Sequence, residues 1–252
     1  MTGKPRREDP TRRLTRLNRE LRRPMVDALA KKRLAPGEGP LLPLLYLASK
    51  TLRTHESILI LCERGAGLDA AMLSRSMFEA AVSAMWLASD LEPRSRLFFE
   101  HTQVVTKKFQ DALARSPLVT PELLEQLDAQ RASVNANATA AIRRRGGRSQ
   151  HWSGRTIRQM AVELKFGHQY DFVYGLVSEI EHSSVVGAGF YLTPAPDGIR
   201  ARTGRISDWV GAALHTAYWA LWAAFAGADT YLELGLEEHL DAAREQLRTL
   251  GR

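Results

Sequence analysis

The stretch "LDAAMLSRSMFEAAVSAMWLASD", residues 68–90, constrains the fold more than any other part of this chain. A surface helix carries an apolar stripe and a polar face, whereas this segment is apolar on nearly every side of a helix. Such a helix is stable only when other helices surround it. We therefore expect residues 68–90 to form the central helix of the protein.

Helical spacing of apolar residues continues along most of the chain, and no strand-like alternation persists beyond a few residues. No internal repeat is visible. We predict an all-α fold, a single bundle of roughly seven to nine helices. Residues 37–252 would form this all-helical domain, and residues 1–36 a basic N-terminal arm that is partly helical. Residues 193–206 are expected to form a loop or a short hairpin.

Glycines and polar caps define the predicted helix ends, because glycine favours helix termination and a hydroxyl caps the first free backbone N–H groups. The signals are Gly65 and Gly67 after the second helix, Ser153 or Thr156 before a short helix at 157–165, Gly187 and Gly189 after a helix at 170–184, and Ser207 before the last long helix at 207–234. That last helix is rich in aromatic residues, which suit either a homodimer interface or an ordinary core.

The positive charge of the chain is concentrated at its N-terminus. The net charge is +7, yet residues 1–35 alone hold 12 Lys or Arg against 4 Asp or Glu, so the rest of the chain sums to −1. A basic arm attracts nucleic acid or an acidic membrane surface, and it also occurs as a solvated segment with no partner.

The sequence predicts a cytoplasmic location. Its N-terminus lacks the apolar segment of a secretory signal, and no apolar run reaches the roughly 18 residues of a membrane span. The single cysteine, Cys62, lies in an apolar run and is expected to be a buried, reduced thiol.

A second basic cluster lies at 142–158, "IRRRGGRSQHWSGRTIR", around two glycines. Arginine and an aromatic ring on a loop suit contact with phosphates and bases, which makes nucleic acid a candidate partner. The alternative is a solvated linker whose tryptophan packs onto the core. The candidate nucleic-acid contacts are Arg143, Arg144, Arg145, Arg148 and Trp152.

Arg75 and Glu79 stand four residues apart on one face of the central helix. Burial of either charge alone would cost several kcal/mol, so each should pair with the other or with a third polar group. The pair is either an internal ion pair that fixes helix register or part of a polar pocket that binds a ligand.

Glu179 and His182 share a face near the end of a later helix, and Ser183 follows. Glu-x-x-His is half of a di-iron site, which also needs a second such motif and single glutamates such as Glu79 and Glu100. The second motif is missing, which argues against a metal-dependent oxidoreductase. The sequence shows no zinc signature, phosphate-binding glycine loop or nucleophile elbow, and we expect no cofactor and no bound metal.

A metal-independent ribonuclease is another interpretation of the same residues. His182 would act as general acid or base and Arg75 would stabilise phosphate charge, with Ser183 beside them. Alternatively, His182 and Ser183 satisfy the last carbonyl groups of their helix.

Three segments resemble a bacterial all-helical family catalogued as domain of unknown function number fifty-six seventy-seven. They are "LDAAMLSRSMFEAAVSAMWLASD", "HWSGRTIRQMA" and "YDFVYGLVSEIEHSS", and the matching residues are Arg75, Ser76 and Glu79; Trp152, Arg158, Met160 and Ala161; and Ser178 and His182. The resemblance implies an all-α fold and no particular activity. The chain is more loosely similar to the helical nucleotide-binding and ribonuclease superfamily found in prokaryotic toxins and defence systems.

Together these observations predict a polar centre made of Arg75, Glu79 and His182, with Tyr174 and Ser183 near it. The leading hypothesis is a binding or interaction module for an anionic ligand or a nucleic acid. The ribonuclease-like enzyme and the metal-dependent oxidoreductase are the alternatives.

Overall fold

The structure, a computed structural model, describes residues 8–116, 119–144, 146–147, 151–181 and 185–250. Their apolar periodicity produces ten α-helices and one antiparallel hairpin, which confirms the predicted all-α class. The helices are α1 (Pro10–Lys31), α2 (Leu42–Glu63), α3 (Gly67–Ala88), α4 (Leu91–Leu113), α5 (Pro121–Arg144), α6 (Ile157–Glu163), α7 (Gly167–Glu181), α8 (Val185–Tyr191), α9 (Val210–Leu232) and α10 (Glu237–Leu250). The hairpin pairs β1 (Leu192–Ala195) with β2 (Gly198–Ala201).

The two most apolar helices, α3 and α9, pack against each other at the centre of the bundle. A Cβ added to Gly227 of α9 would lie 3.0 Å from the Cα atom of Met85 in α3, so the two backbones nearly touch there. Helix α2 packs on both, α1 and α10 pack on α9, and α6 and α7 pack on α3. The predicted central position of residues 68–90 is therefore confirmed.

Local signals set most helix ends. Gly65 follows α2 with φ at +73°, a conformation that glycine adopts without strain. Thr156 caps α6 through a capping box, in which its hydroxyl accepts from the Gln159 N–H at 3.1 Å and the Gln159 side chain accepts from the Thr156 N–H at 2.9 Å. Gly67 opens α3 rather than ending α2, and an added Cβ there would collide with the Asp208 carbonyl.

Two predicted helix ends were wrong. Helix α8 runs through Gly187 and Gly189, which were expected to stop a helix. A glycine inside a helix costs only about 1 kcal/mol relative to alanine, so it does not terminate a helix by itself. Ser207 does not cap α9, because the helix begins at Val210 after Trp209, which has φ at +81° and gives no side-chain cap.

Much of the basic N-terminal arm is helical and contacts the bundle. Leu17, Leu21 and Met25 recur at four-residue spacing on α1, and all three are buried. Helix α1 packs on α9 and α2 and continues through Pro24. Several of its arginines pair with carboxylates, Arg16 with Glu8 and Glu20, Arg19 with Glu63, and Arg22 with Glu56.

A buried polar contact joins α1 to α2 and α9. The Asn18 amide nitrogen donates to the Leu14 carbonyl at 2.8 Å and to the Leu214 carbonyl at 3.1 Å. Its oxygen lies 2.8 Å from Nε2 of His55, and both side chains are fully buried. One contact therefore fixes the relative positions of three helices.

The aromatic residues of α9 lie largely in the hydrophobic core. Tyr218, Trp219 and Phe225 are buried, and the Trp222 indole donates to the Leu240 carbonyl of α10 at 3.1 Å. The core interpretation of this helix is therefore confirmed for these residues, and the homodimer stays a prediction. Cys62 is buried as expected, and burial raises the pKa of its thiol to about 12.

Candidate functional site

Arg75 and Glu79 form the predicted ion pair on α3. The Nε atom of Arg75 lies 3.6 Å from Oε1 of Glu79. The Tyr174 hydroxyl of α7 donates to the same carboxylate oxygen. The Arg75 guanidinium also lies over the Tyr174 ring, with its carbon 4.5 Å from the ring centre. One carboxylate is thus held by a cation and a hydroxyl from two helices.

Tyr174 stays protonated in this cluster. Burial and the hydrogen bond to Glu79 raise the pKa of Tyr174 well above its ordinary value. The phenol therefore remains a donor at neutral pH. Arg75 is mostly covered, with 16% of its side chain exposed, whereas Glu79 is 38% exposed and reaches the surface of a cleft.

The cleft has a volume of about 360 Å³ and lies between α2, α3, α4 and the segment that precedes α6. Its lining combines aromatic rings, one lysine, one carboxylate and two imidazoles. The lining residues are Tyr46, Leu47, Lys50, Glu79, Ala80, Ser83, Phe98, His101, Thr102, Val105, His151, Trp152 and Ile157. This volume falls within the range of small-ligand pockets.

Trp152 forms a wall of this cleft and is 8% exposed. Its ring packs edge-on against Trp86 at 5.5 Å and against Phe98 at 5.2 Å, measured between ring centres. The turn that carries it is held by Ser153, whose hydroxyl lies 2.7 Å from Nδ1 of His151 and accepts from the Arg155 N–H at 3.0 Å. Trp152 therefore adopts the packed alternative that the sequence also allowed.

Acidic residues from neighbouring helices pair with parts of the basic segment 142–158. Glu100 of α4 binds Arg144, with 2.9 Å between Nε and Oε2. Glu163 of α6 lies 3.3 Å from Nε of Arg155. Arg143 is exposed at the end of α5, and Arg145 and Arg148 lie outside the described residues. A role in nucleic-acid contact remains a prediction for all of them.

Three residues of the cleft lining were not predicted from the sequence: Lys50, His101 and His151. Lys50 is half-buried and makes no ion pair with any residue that the structure describes. Its one sequence signal is its position as a single charge in the apolar stretch "LLYLASKTL". The two histidines lie on separate segments, so only tertiary packing brings them to the cleft.

The predicted polar centre is observed in part. Arg75, Glu79 and Tyr174 are brought together, whereas His182 and Ser183 lie outside the described residues, as does the side chain of Glu179. Across the described parts of the chain, no group of three His, Cys, Asp or Glu residues is arranged to hold a metal ion. The described helices include none that is both long and apolar enough to cross a membrane.

The fold and the cleft define an all-helical bundle with a polar site beside its central helix. The chain belongs to the family of unknown function DUF5677, whose model matches residues 41–199. The match includes every residue that lines the cleft and confirms the family that the three segments resemble. No curated protein and no solved structure matches the chain.

Proposed function

We propose that the protein is a binding module whose cleft accepts a small anionic ligand with an aromatic ring. The observation that carries this proposal is Lys50, a half-buried cation in the cleft with no ion-pair partner among the described residues. A partly desolvated ammonium group gains stability from a bound anion.

The charge balance of the lining supports an anion rather than a cation. Glu79 is the acidic residue of the lining, and its carboxylate is already engaged by Arg75 and Tyr174. His101 and His151 add hydrogen-bonding groups, and they add positive charge when protonated. Lys50 is therefore the charged lining residue for which the described structure shows no counterion.

The aromatic walls support a ligand with a ring. Tyr46 is 51% exposed at the cleft and packs against Phe98, with 6.1 Å between the ring centres. Phe98 in turn packs against Trp152. Rings of this kind stack favourably on a further ring. An aromatic carboxylate or a nucleoside monophosphate combines a negative charge with an aromatic ring.

Calorimetric titration with adenosine 5′-monophosphate, uridine 5′-monophosphate and benzoate tests the proposal. We expect saturable binding of at least one of these anions. Because hydrogen bonds to charged groups contribute about 1.5–3 kcal/mol, Lys50→Met should weaken that binding by about tenfold or more. Lys108→Met, which removes an exposed lysine of α4, is the matched control and should bind like the wild type. Binding of none of the anions, or equal affinity of Lys50→Met and wild type, contradicts the proposal.

A metal-independent ribonuclease-like enzyme is the second candidate, and the presence of His101 and His151 in one cleft supports it. Two imidazoles can act as general acid and general base in phosphodiester cleavage. RNA cleavage in EDTA by wild type, His101→Ala, His151→Ala and His182→Ala distinguishes the candidates. Cleavage that is lost in these folded variants favours the enzyme, and ligand binding without cleavage favours the binding module.

A further inference from the structure

We propose that a second site, a pocket between α3, α7 and α9, binds a small uncharged aromatic molecule that carries one hydrogen-bonding group. The pocket has a volume of about 230 Å³ and is partly open to solvent. It is separate from the cleft, because no residue lines both.

Aromatic rings form the walls of this pocket. Phe78 and Trp219 are stacked with 5.0 Å between ring centres and 25° between ring planes, and Phe166 packs edge-on against Trp219 at 5.0 Å. Phe172 lines the pocket and is 52% exposed. A flat ligand would extend this array of rings and cover Phe172, which water now contacts.

The polar groups of the pocket define the chemistry of its ligand. His215 of α9 is half-buried and forms no hydrogen bond or ion pair with any described residue. Burial lowers the pKa of its imidazole below the ordinary value. A neutral imidazole offers one donor and one acceptor and no charge, so it suits a neutral ligand with an N–H or O–H group.

The remaining lining contains no carboxylate, lysine or arginine. Besides the rings and His215, it consists of His168, Gln169, Val173 and Thr216. A charged ligand would therefore lose its hydration without gaining a counterion, which is unfavourable.

The size of the pocket fits one or two fused rings. An apolar cavity of about 150 Å³ holds benzene. A pocket of about 230 Å³ is therefore large enough for a bicyclic molecule such as indole. Indole also has a single N–H donor, which matches the acceptor nitrogen of His215.

Calorimetric titration with indole and with benzothiophene tests the site, because the two molecules have similar shape and only indole has the N–H group. We expect indole to saturate a single site and to bind about three to ten times more tightly than benzothiophene, the ratio expected for one hydrogen bond. His215→Leu should remove that preference while benzothiophene binding persists. His239→Leu, a change on α10 outside the pocket, should leave the preference intact.

Thr216→Leu gives an independent test, since the larger side chain fills the pocket and should abolish binding of both molecules. Circular dichroism and the melting temperature verify that this variant folds. Absence of saturable binding to the wild type overturns the proposal. Unchanged binding in folded Thr216→Leu also overturns it, and so does an unchanged indole preference in His215→Leu. Lys50→Met should bind indole like the wild type, so a failure of the cleft proposal is distinguishable from a failure here.

Discussion

His55 is a titratable residue placed entirely inside the bundle. Because both amide hydrogens of Asn18 are directed to backbone carbonyls, the Asn18 oxygen is the acceptor and His55 Nε2 carries the proton. The other ring nitrogen, Nδ1, is buried with no partner in the described structure. Burial, aided by the positive charge of Arg22, lowers the pKa of His55 to about 3.

This pKa shift predicts a loss of stability in acid. The folded pKa lies below the unfolded value of about 6.5, so the unfolded state binds more protons between pH 6.5 and pH 3. The stabilisation is complete above pH 6.5 and decreases as the pH falls through that window, by up to about 1.4 kcal/mol per pH unit. His55→Gln, which cannot titrate, should show a correspondingly flatter dependence in urea unfolding at pH 7, 6 and 5.

A matched control for this measurement is His239→Gln, because His239 lies near the start of α10 and outside the core. It should retain the wild-type slope of the free energy of unfolding against pH. Parallel slopes for His55→Gln and wild type would show that His55 titrates normally in the folded state.

At the scale of residues, the sequence predicted contacts within one helix better than contacts between helices. The spacing of Arg75 and Glu79 placed both on one helix face, because residues four apart are neighbours there, and an ion pair between them was one of the two expected arrangements. Lys50, His101 and His151 come from α2, α4 and the segment before α6. Nothing in their local sequence specifies that these three segments meet. The cleft could therefore be located only from the three-dimensional structure.

At the scale of elements, helix limits followed the sequence where a side chain or a glycine determines the backbone. Thr156 and Gly65 are such positions. The prediction was wrong at α8 and at the start of α9. There, the two glycines lie inside α8 without ending it, and a left-handed residue, Trp209, precedes α9 without a side-chain cap.

The capping box of α6 gives a prediction at this scale. Thr156→Ala removes the side-chain acceptor for the Gln159 N–H and should lower the free energy of unfolding by about 1 kcal/mol. Thr139→Ala is the control, because the Thr139 hydroxyl only donates to the Asn135 carbonyl within α5. Chemical denaturation of both variants checks the difference. A Thr156→Ala loss no larger than that of Thr139→Ala would show that the cap does not stabilise the fold.

At the scale of the whole molecule, the close contact of α3 with α9 is the main packing constraint. Gly227→Ala places a Cβ atom against the backbone of Met85 and should cost about 1–3 kcal/mol, because neither backbone can rotate away as a side chain would. Gly175→Ala is the matched control, since Gly175 is an exposed helical glycine with open space around it. That change should raise stability by about 0.5–1 kcal/mol. Thermal unfolding of the two variants should therefore shift in opposite directions, and a shared direction would contradict the packing argument.

Helix α1 shows that charge and apolar spacing describe different sides of one segment. The charge of +8 over residues 1–35 indicates a basic arm, and the apolar spacing in the same segment matches the buried face of α1. Both signals were present in the sequence. Charge reports on the solvent-facing side of a helix, and apolar periodicity reports on the side that packs.

The central pairing of α3 with α9 also has a consequence for synthesis on the ribosome. About 120 residues separate Ala88 from Val210, and translation at roughly 5–20 residues per second takes about 6–24 s to add them. Throughout that interval the nascent chain contains α3 but not α9, the helix that packs most extensively on it. We therefore expect part of the apolar surface of α3 to stay uncovered until α9, which begins about one sixth of the chain before its end, has emerged.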